Sequence, residues 1–337
     1  MENLKNQIDE TRRELARLNE PRPAADLDQA GKALDNVQQK VQNGENPDPQ
    51  QQQKIKEGID RAKNEVKMAQ EELLREQLVR IADHLEGLKL RQQSAVTRSE
   101  DFQVKIVERK SWLTPYLATM EGNIAAQKMI ADETDSVKDK LEQAKVFQKV
   151  LEKAKNSMDD AADVMQDRLK DAPDRLYLEV GAELMPEGEL KEEGEKHEDT
   201  VRHQKRAVKR LDILLESIKD EINRMQAKKE PPRDAKDPDK GKQENKDPQP
   251  KQGGDGMPPN AQLKALYKLH QDLNERFEEF AAKNPNPDKL DPDQKKAFNQ
   301  LTAEQAELHQ LFIEITPNPA QQQPAVDPNK EKEGDKK

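Results

Sequence analysis

Five histidines, His84, His197, His203, His270 and His309, are the side chains best suited to proton transfer or metal binding near neutral pH. None has a glutamate three residues before it, the Glu-x-x-His spacing by which helical bundles hold paired iron. His197-Glu198 is followed by Val201 where a zinc peptidase helix needs its second histidine. His197 and His203 stand about 120° apart around a helix, too far round to share one ion unaided. Zero cysteines remove thiolate ligands, Cys nucleophiles and disulfide frameworks together. There is no Gly-x-x-x-x-Gly-Lys-Ser/Thr phosphate loop and no Gly-x-Ser-x-Gly elbow; Gly253-Gly254-Asp255-Gly256 lies in a proline-rich stretch. Carboxylate pairs such as Asp159-Asp160 and Glu192-Glu193 read as solvated helix faces. No catalytic, cofactor or metal site is expected, and the chain reads as non-enzymatic.

What remains is the scaffold itself. Of 337 residues, 32% are apolar and 37% charged, and only ten are aromatic. Aromatics supply the largest buried area per residue, so several compact cores are out of reach. The net charge of −10 argues against general phosphate or nucleic-acid binding. No apolar run exceeds three residues, far short of the ~20 a bilayer helix needs, and no signal-peptide core follows Met1. From these residues alone a cytoplasmic protein is expected; an envelope location would need a segment upstream of Met1.

Apolar side chains recur at alternating intervals of three and four, the stripe of an amphipathic helix. The fold class that follows is all-α: elongated antiparallel hairpins of coiled-coil type. Residues 1–44 form a short hairpin with seams Leu4–Leu18 and Leu27–Val41. Residues 48–229 form a long helical rod of three helices, about 50–113, 115–171 and 190–228. Asp48-Pro49-Gln50-Gln51 starts the first, and its seam runs Ile55, Ile59, Ala62, Val66, Ala69, Leu73. There the stripe slips by one residue and continues as Leu74, Leu78, Ile81, Leu85, Leu88, Gln92, Ala95, Ser99, Phe102, Ile106, so the covered face should change. Thr114 caps a new start with Pro115 first. Residues 230–257 read as a disordered Pro/Gly/charged linker and 317–337 as a disordered tail.

Residues 258–316 read as a separate αα-hairpin holding five of the ten aromatics. Asn260 caps its first helix, whose seam is Leu263, Leu266, His270, Leu273, Phe277 and Phe280. Asp291-Pro292-Asp293-Gln294 starts the second, with seam Phe298, Leu301, Gln305, Leu308, Phe312 and Ile315. Antiparallel folding sets Phe280 beside Phe298 and Leu266 beside Phe312. The polar seam residues His270 and Gln305 either meet and fix register or, the reading favoured here, leave His270 at the seam edge with its ring in water. These twelve residues are the candidate interaction surface. A basic cluster, Arg202, Lys205, Arg206, Lys209 and Arg210, follows an acidic helix start and so complements the helix dipole. It is also the candidate contact for an anionic surface.

Ala144-Lys145-Val146-Phe147-Gln148-Lys149-Val150-Leu151, Met158-Asp159-Asp160-Ala161-Ala162 and Gln204-Lys205-Arg206-Ala207-Val208-Lys209-Arg210-Leu211 occur in that order. Gly254-Asp255-Gly256-Met257-Pro258-Pro259, Leu263-Lys264-Ala265-Leu266 and Leu273-Asn274-Glu275-Arg276 follow. Over about residues 80–315 this series resembles a family of long coiled-coil proteins from planctomycete bacteria. Members of that family look secreted or membrane-associated, often with an upstream apolar segment that this chain lacks. The resemblance implies a bacterial coiled-coil protein and carries over no activity and no site residues. Two functions are then in view. One is a scaffold or protein-interaction subunit, associated with the cell envelope, that binds partners or itself through its helical seams. The alternative is an adaptor of a membrane-associated or nucleoid machine, touching an acidic surface through residues 202–210.

Overall fold

The computed structural model describes residues 31–32, 49–141, 144–172, 184–229 and 257–316. The expected N-terminal hairpin, apart from helical Gly31 and Lys32, lies outside these residues, as do nearly all of the linker and the tail. Six α-helices and no β-strand occur among the described residues: α1 Pro49–Arg109, α2 Thr114–Asp139, α3 Lys145–Asp171, α4 Glu187–Lys229, α5 Pro259–Lys283 and α6 Pro292–Ile315. A 3-10 turn, Pro287–Lys289, joins the last two.

The chain divides into two units, Met1–Arg80 with Met225–Glu230, and Ile81–Arg224 with Pro231–Lys337. In the first, Ile55, Ile59, Ala62 and Val66 are buried along the seam read from spacing, while Leu73 at its end is exposed. In the second, α1 buries Leu78's successors on the slipped stripe, Leu85, Leu88, Gln92, Ala95, Ser99, Phe102 and Ile106. The slip is thus a real change of buried face.

Within the second unit, side-chain pairs fix helix directions. Gln92 meets Gln127 and His84 meets Glu133, so α1 and α2 are antiparallel. Arg168 meets Glu193 and Ser157 meets Arg210, which sets α3 antiparallel to α4. Lys89–Asp212 and Lys219–Glu86 return α4 to α1. With α2 and α3 packed as a hairpin, the four alternate in direction as an up-down-up-down bundle.

The sequence reading of one helix over 115–171 is corrected here. The chain turns after Asp139 and restarts at Lys145, with Leu141 and Ala144 buried at the corner. No glycine or proline marks the turn. Local propensity favours helix throughout, but a straight helix would leave two apolar faces unmatched. Turning lets Ile124, Ile130, Ala131 and Val137 of α2 and Val146, Phe147, Val150, Ala154 and Met158 of α3 all be buried. Each large side chain so covered is worth roughly 1.5–3 kcal/mol, which outweighs two or three lost helical hydrogen bonds.

The α1–α2 corner is built from aromatics. Trp112 is fully buried, with Phe102 edge-on at 5.4 Å, and Tyr116 meets the same Phe102 at 5.7 Å. Lys110 closes α1 in the left-handed region (φ 48°), and its carbonyl accepts from Met185 N–H at 2.8 Å. Helix α2 begins at Thr114 itself, with Leu113 as its cap and no side-chain capping bond, so the expected Thr114 cap is not formed.

Candidate functional site: the C-terminal hairpin and the basic face of α4

Two residues decide where α6 begins. The Asp291 carboxylate accepts from Gln294 N–H at 2.8 Å, and the Gln294 amide oxygen accepts from Asp291 N–H at 3.0 Å. This reciprocal box satisfies two donors that the first turn leaves open, as the Asp-Pro-x-Gln motif predicts. Helix α5 differs from expectation: it starts at Pro259, capped by Pro258 with no side-chain bond, and Asn260 lies inside it.

The hairpin's aromatic end forms as read. Phe298 packs 5.8 Å from Phe280 and 6.2 Å from Phe277. The remaining seam splits. Leu266, Leu273, Leu301 and Leu308 are buried, and Leu263, Phe277, Phe280 and Ile315 are half-buried. Phe298 and Phe312 are exposed at 42% and 49%, and His270 and Gln305 are exposed too. No hydrogen bond joins His270 to Gln305; the exposed His270 ring stands at the seam edge, the favoured of the two readings, and the register pair does not form. That role falls to Arg276, whose guanidinium meets Glu304 across the hairpin at 2.7 Å. The reason is that the hairpin packs on other helices as well as on itself. Helix α5 therefore buries Ala261, Ala265, Leu266, Leu269 and Leu273, a face that keeps Leu266 and Leu273 but is rotated so that His270 falls outside it.

Two ion-pair ladders seat the hairpin. On α3, Lys145 meets Glu314, Lys149 meets Glu307, and Lys153 meets Glu304 and Glu307 at 3.0 and 3.3 Å. On α4, Lys209 meets Asp272 at 2.8 Å and Glu275 at 2.5 Å, while Glu216 pairs with Lys268 and Asp220 with Lys264. Burial pushes the Glu304 carboxyl up, but Arg276 and Lys153 outweigh it and hold it below the usual range. Burial likewise opposes the charge on Lys209, and Asp272 and Glu275 overcome it.

The basic cluster is largely spent inside the chain. Besides Lys209, Arg202 pairs with Asp199 and Lys205 with Glu100. Arg210 is buried, donates to Ser157 Oγ and the Lys153 carbonyl, and is pushed down to about 10 by burial. Among the described residues Arg206 has no ion pair; burial first, then Arg276 and Arg202, lower its pKa. It lines a groove of about 430 Å³ between α4 and α5 with His197, Arg202, Asp272, Arg276 and Glu279. Its lining carries five cations against four carboxylates, a nearly neutral balance.

Sequence reasoning missed the polar core. Arg168 and Glu193 are almost wholly buried, paired at 2.5 Å, with Gln103 accepting from Arg168 at 2.7 Å and Phe102 under the guanidinium at 5.9 Å. Gln92, Gln127 and Gln204 form a second buried group, their side-chain amides joined by hydrogen bonds of 2.8–3.2 Å. Gln92 was visible as a polar intrusion on an apolar seam; nothing local distinguished Arg168 or Glu193 from neighbouring surface charges. Among the described residues no group of three metal-ligating side chains converges, and no helix is long and apolar enough to cross a membrane. No family profile, curated protein or solved structure matches this chain.

Proposed function

We propose that the chain is a non-enzymatic helical scaffold or protein-interaction subunit that works through exposed helix faces. The observation that carries this reading is the set of large apolar side chains left in solvent on otherwise charge-rich helices. Leu90, Val104 and Val107 of α1 and Phe298, Phe312 and Ile313 of α6 are each more than two-fifths exposed. Exposed apolar groups gathered on one face mark surfaces that other proteins cover. The pattern resemblance to planctomycete coiled-coil proteins supports the same reading and suggests an envelope setting. The test is photo-crosslinking in cells, with the reactive residue placed at Leu90, at Phe312, and at exposed Glu278 as the comparison. Protein adducts concentrated at the two apolar positions are expected. Equal or absent adducts at all three would remove the proposal.

A second reading is favoured by Arg206 alone, a half-buried cation without an ion partner beside exposed Arg202 and Lys205. It predicts co-sedimentation with anionic vesicles that disappears between low and moderate salt. The seam-driven reading predicts binding that persists.

A further inference from the structure

The ladder that seats α5 on α4 pairs opposite charges rung by rung. Lys264 meets Asp220, Lys268 meets Glu216 and Asp272 meets Lys209, so the two helices run antiparallel. One turn further, just before Lys209 on α4 and just after Asp272 on α5, stand Arg206 and Arg276. Here like faces like, across the groove of about 430 Å³ that both side chains line. Arg276 commits one edge of its guanidinium to Glu304 at 2.7 Å, and its Nε is buried without an acceptor. Arg206 is half-buried and has no ion pair among the described residues. After burial, Arg276 is the foremost of the charges that lower the Arg206 pKa. Arg210, close to both, is buried and reaches only uncharged acceptors, Ser157 Oγ and the Lys153 carbonyl. Positive charge is therefore in local excess on the inner side of a groove whose whole lining is nearly neutral.

The carboxylates of the lining do not cancel that excess. Asp272 and Glu275 are held by Lys209, and Glu198 and Glu279 are exposed. A cation withdrawn from water without a partner is unfavourable, and a planar carboxylate meets a guanidinium fork through two parallel hydrogen bonds. Arg206 offers one such fork, and the exposed acids beside it disfavour a doubly charged phosphate. Val201 gives the body of a ligand an apolar wall, and the volume lies within the range of small-molecule sites. We propose that the α4–α5 groove binds a small organic monocarboxylate, its carboxylate on Arg206 and opposite Arg276, as the missing rung of the ladder. The site uses none of the exposed apolar residues, so it goes beyond the helix-face reading and is independent of crosslinking at Leu90 and Phe312.

Calorimetric titration of the full chain with benzoate and with butyrate, at fixed ionic strength, should show saturable binding with a Kd of about 1 mM or below, and phosphate should bind at least about tenfold more weakly. Arg206→Gln is expected to weaken benzoate binding at least about tenfold by removing the fork. Glu279→Gln should tighten it severalfold, because a like charge leaves the groove. Lys170→Gln, which alters an exposed cation outside the groove, should leave it unchanged. Without ligand, Arg206→Gln should unfold at the parent's temperature or above, since the lost cation had no partner. Failure of both acids to bind saturably overturns the proposal, as does benzoate binding indifferent to Arg206→Gln or phosphate binding as tight as benzoate. Equal falls in melting temperature for Arg206→Gln and Glu279→Gln would also overturn it, by showing that Glu279 already serves Arg206.

Discussion

Helix α4 meets the bundle and the C-terminal hairpin on opposite terms. Towards α3 it presents Glu193 to Arg168 in a site closed to water, and towards α2 it places Gln204 against Gln127 in another. Towards α5 it presents Lys209, Glu216 and Asp220 at the rim, where 43–59% of each side chain remains exposed. Charge inside the bundle cannot be rehydrated when its partner is lost. At the rim, water replaces a lost partner within a side-chain rotation. The same kinds of residue therefore carry large penalties in one place and small ones in the other.

The largest effect expected is for Glu193→Leu, which strands Arg168 in the core. A loss of roughly 3–5 kcal/mol should appear in chemical denaturation, and Arg168→Met combined with Glu193→Leu should recover much of it. A loss under about 1 kcal/mol would erase the distinction between the two regions. Next comes Gln127→Leu, which deprives both Gln92 and Gln204 of partners and should cost about 1–3 kcal/mol by the same measurement.

A pH series sharpens the comparison. Burial, aided by Arg168 and Lys205 and opposed by Glu100, lowers His197 from its usual 6.5 to about 4. The unfolded chain thus binds this proton in a window where the folded chain does not. The contribution is whole above pH 6.5 and shrinks as pH falls towards 4. Carboxylates held low by cations, Glu133 and Glu304 among them, lose stability in the same direction at lower pH. His197→Gln should flatten the slope of stability between pH 6.5 and 4 and leave the more acidic part unchanged. An unaltered slope would mean that the ring is as well hydrated as a surface histidine.

The smallest effects belong to the rim. Lys145→Ala and Asp220→Ala are each expected to cost less than about 1 kcal/mol, and the difference from the parent should narrow further in 1 M salt, where the Debye length is near 3 Å. A rim substitution as costly as Glu193→Leu would show that the hairpin is seated by its charges rather than by Leu266, Leu269, Leu273 and Leu308.

Much of the architecture was readable from spacing. The all-α class, the slip near Leu74, the break before Thr114 and the Asp291 capping box all follow from signals within a few residues of one another. The α2–α3 turn was not readable, because Lys138 to Gln143 is good helix sequence and the turn exists only for the benefit of distant faces. The hairpin seam was half readable for a related reason. Spacing identifies a stripe, but a helix with three neighbours buries a broader arc than any stripe. Of the candidate surface, Phe277, Phe280 and Phe298 came together as expected. His270 and Gln305 did not, since polar residues on a seam are free to rotate to its edge wherever a wider apolar arc lies beside them.

The two rim ladders run with opposite signs. Helix α3 offers lysines throughout, whereas α4 changes from base at Lys209 to acid at Glu216 and Asp220, and α5 answers in reverse. A hairpin reversed end for end, or slid by two turns, would push lysine onto lysine. Contacts too feeble to grip can still work as the teeth of a key: they let Pro259–Ile315 enter its seat in a single orientation, and they turn away other amphipathic helices that share its greasy side but not its cut.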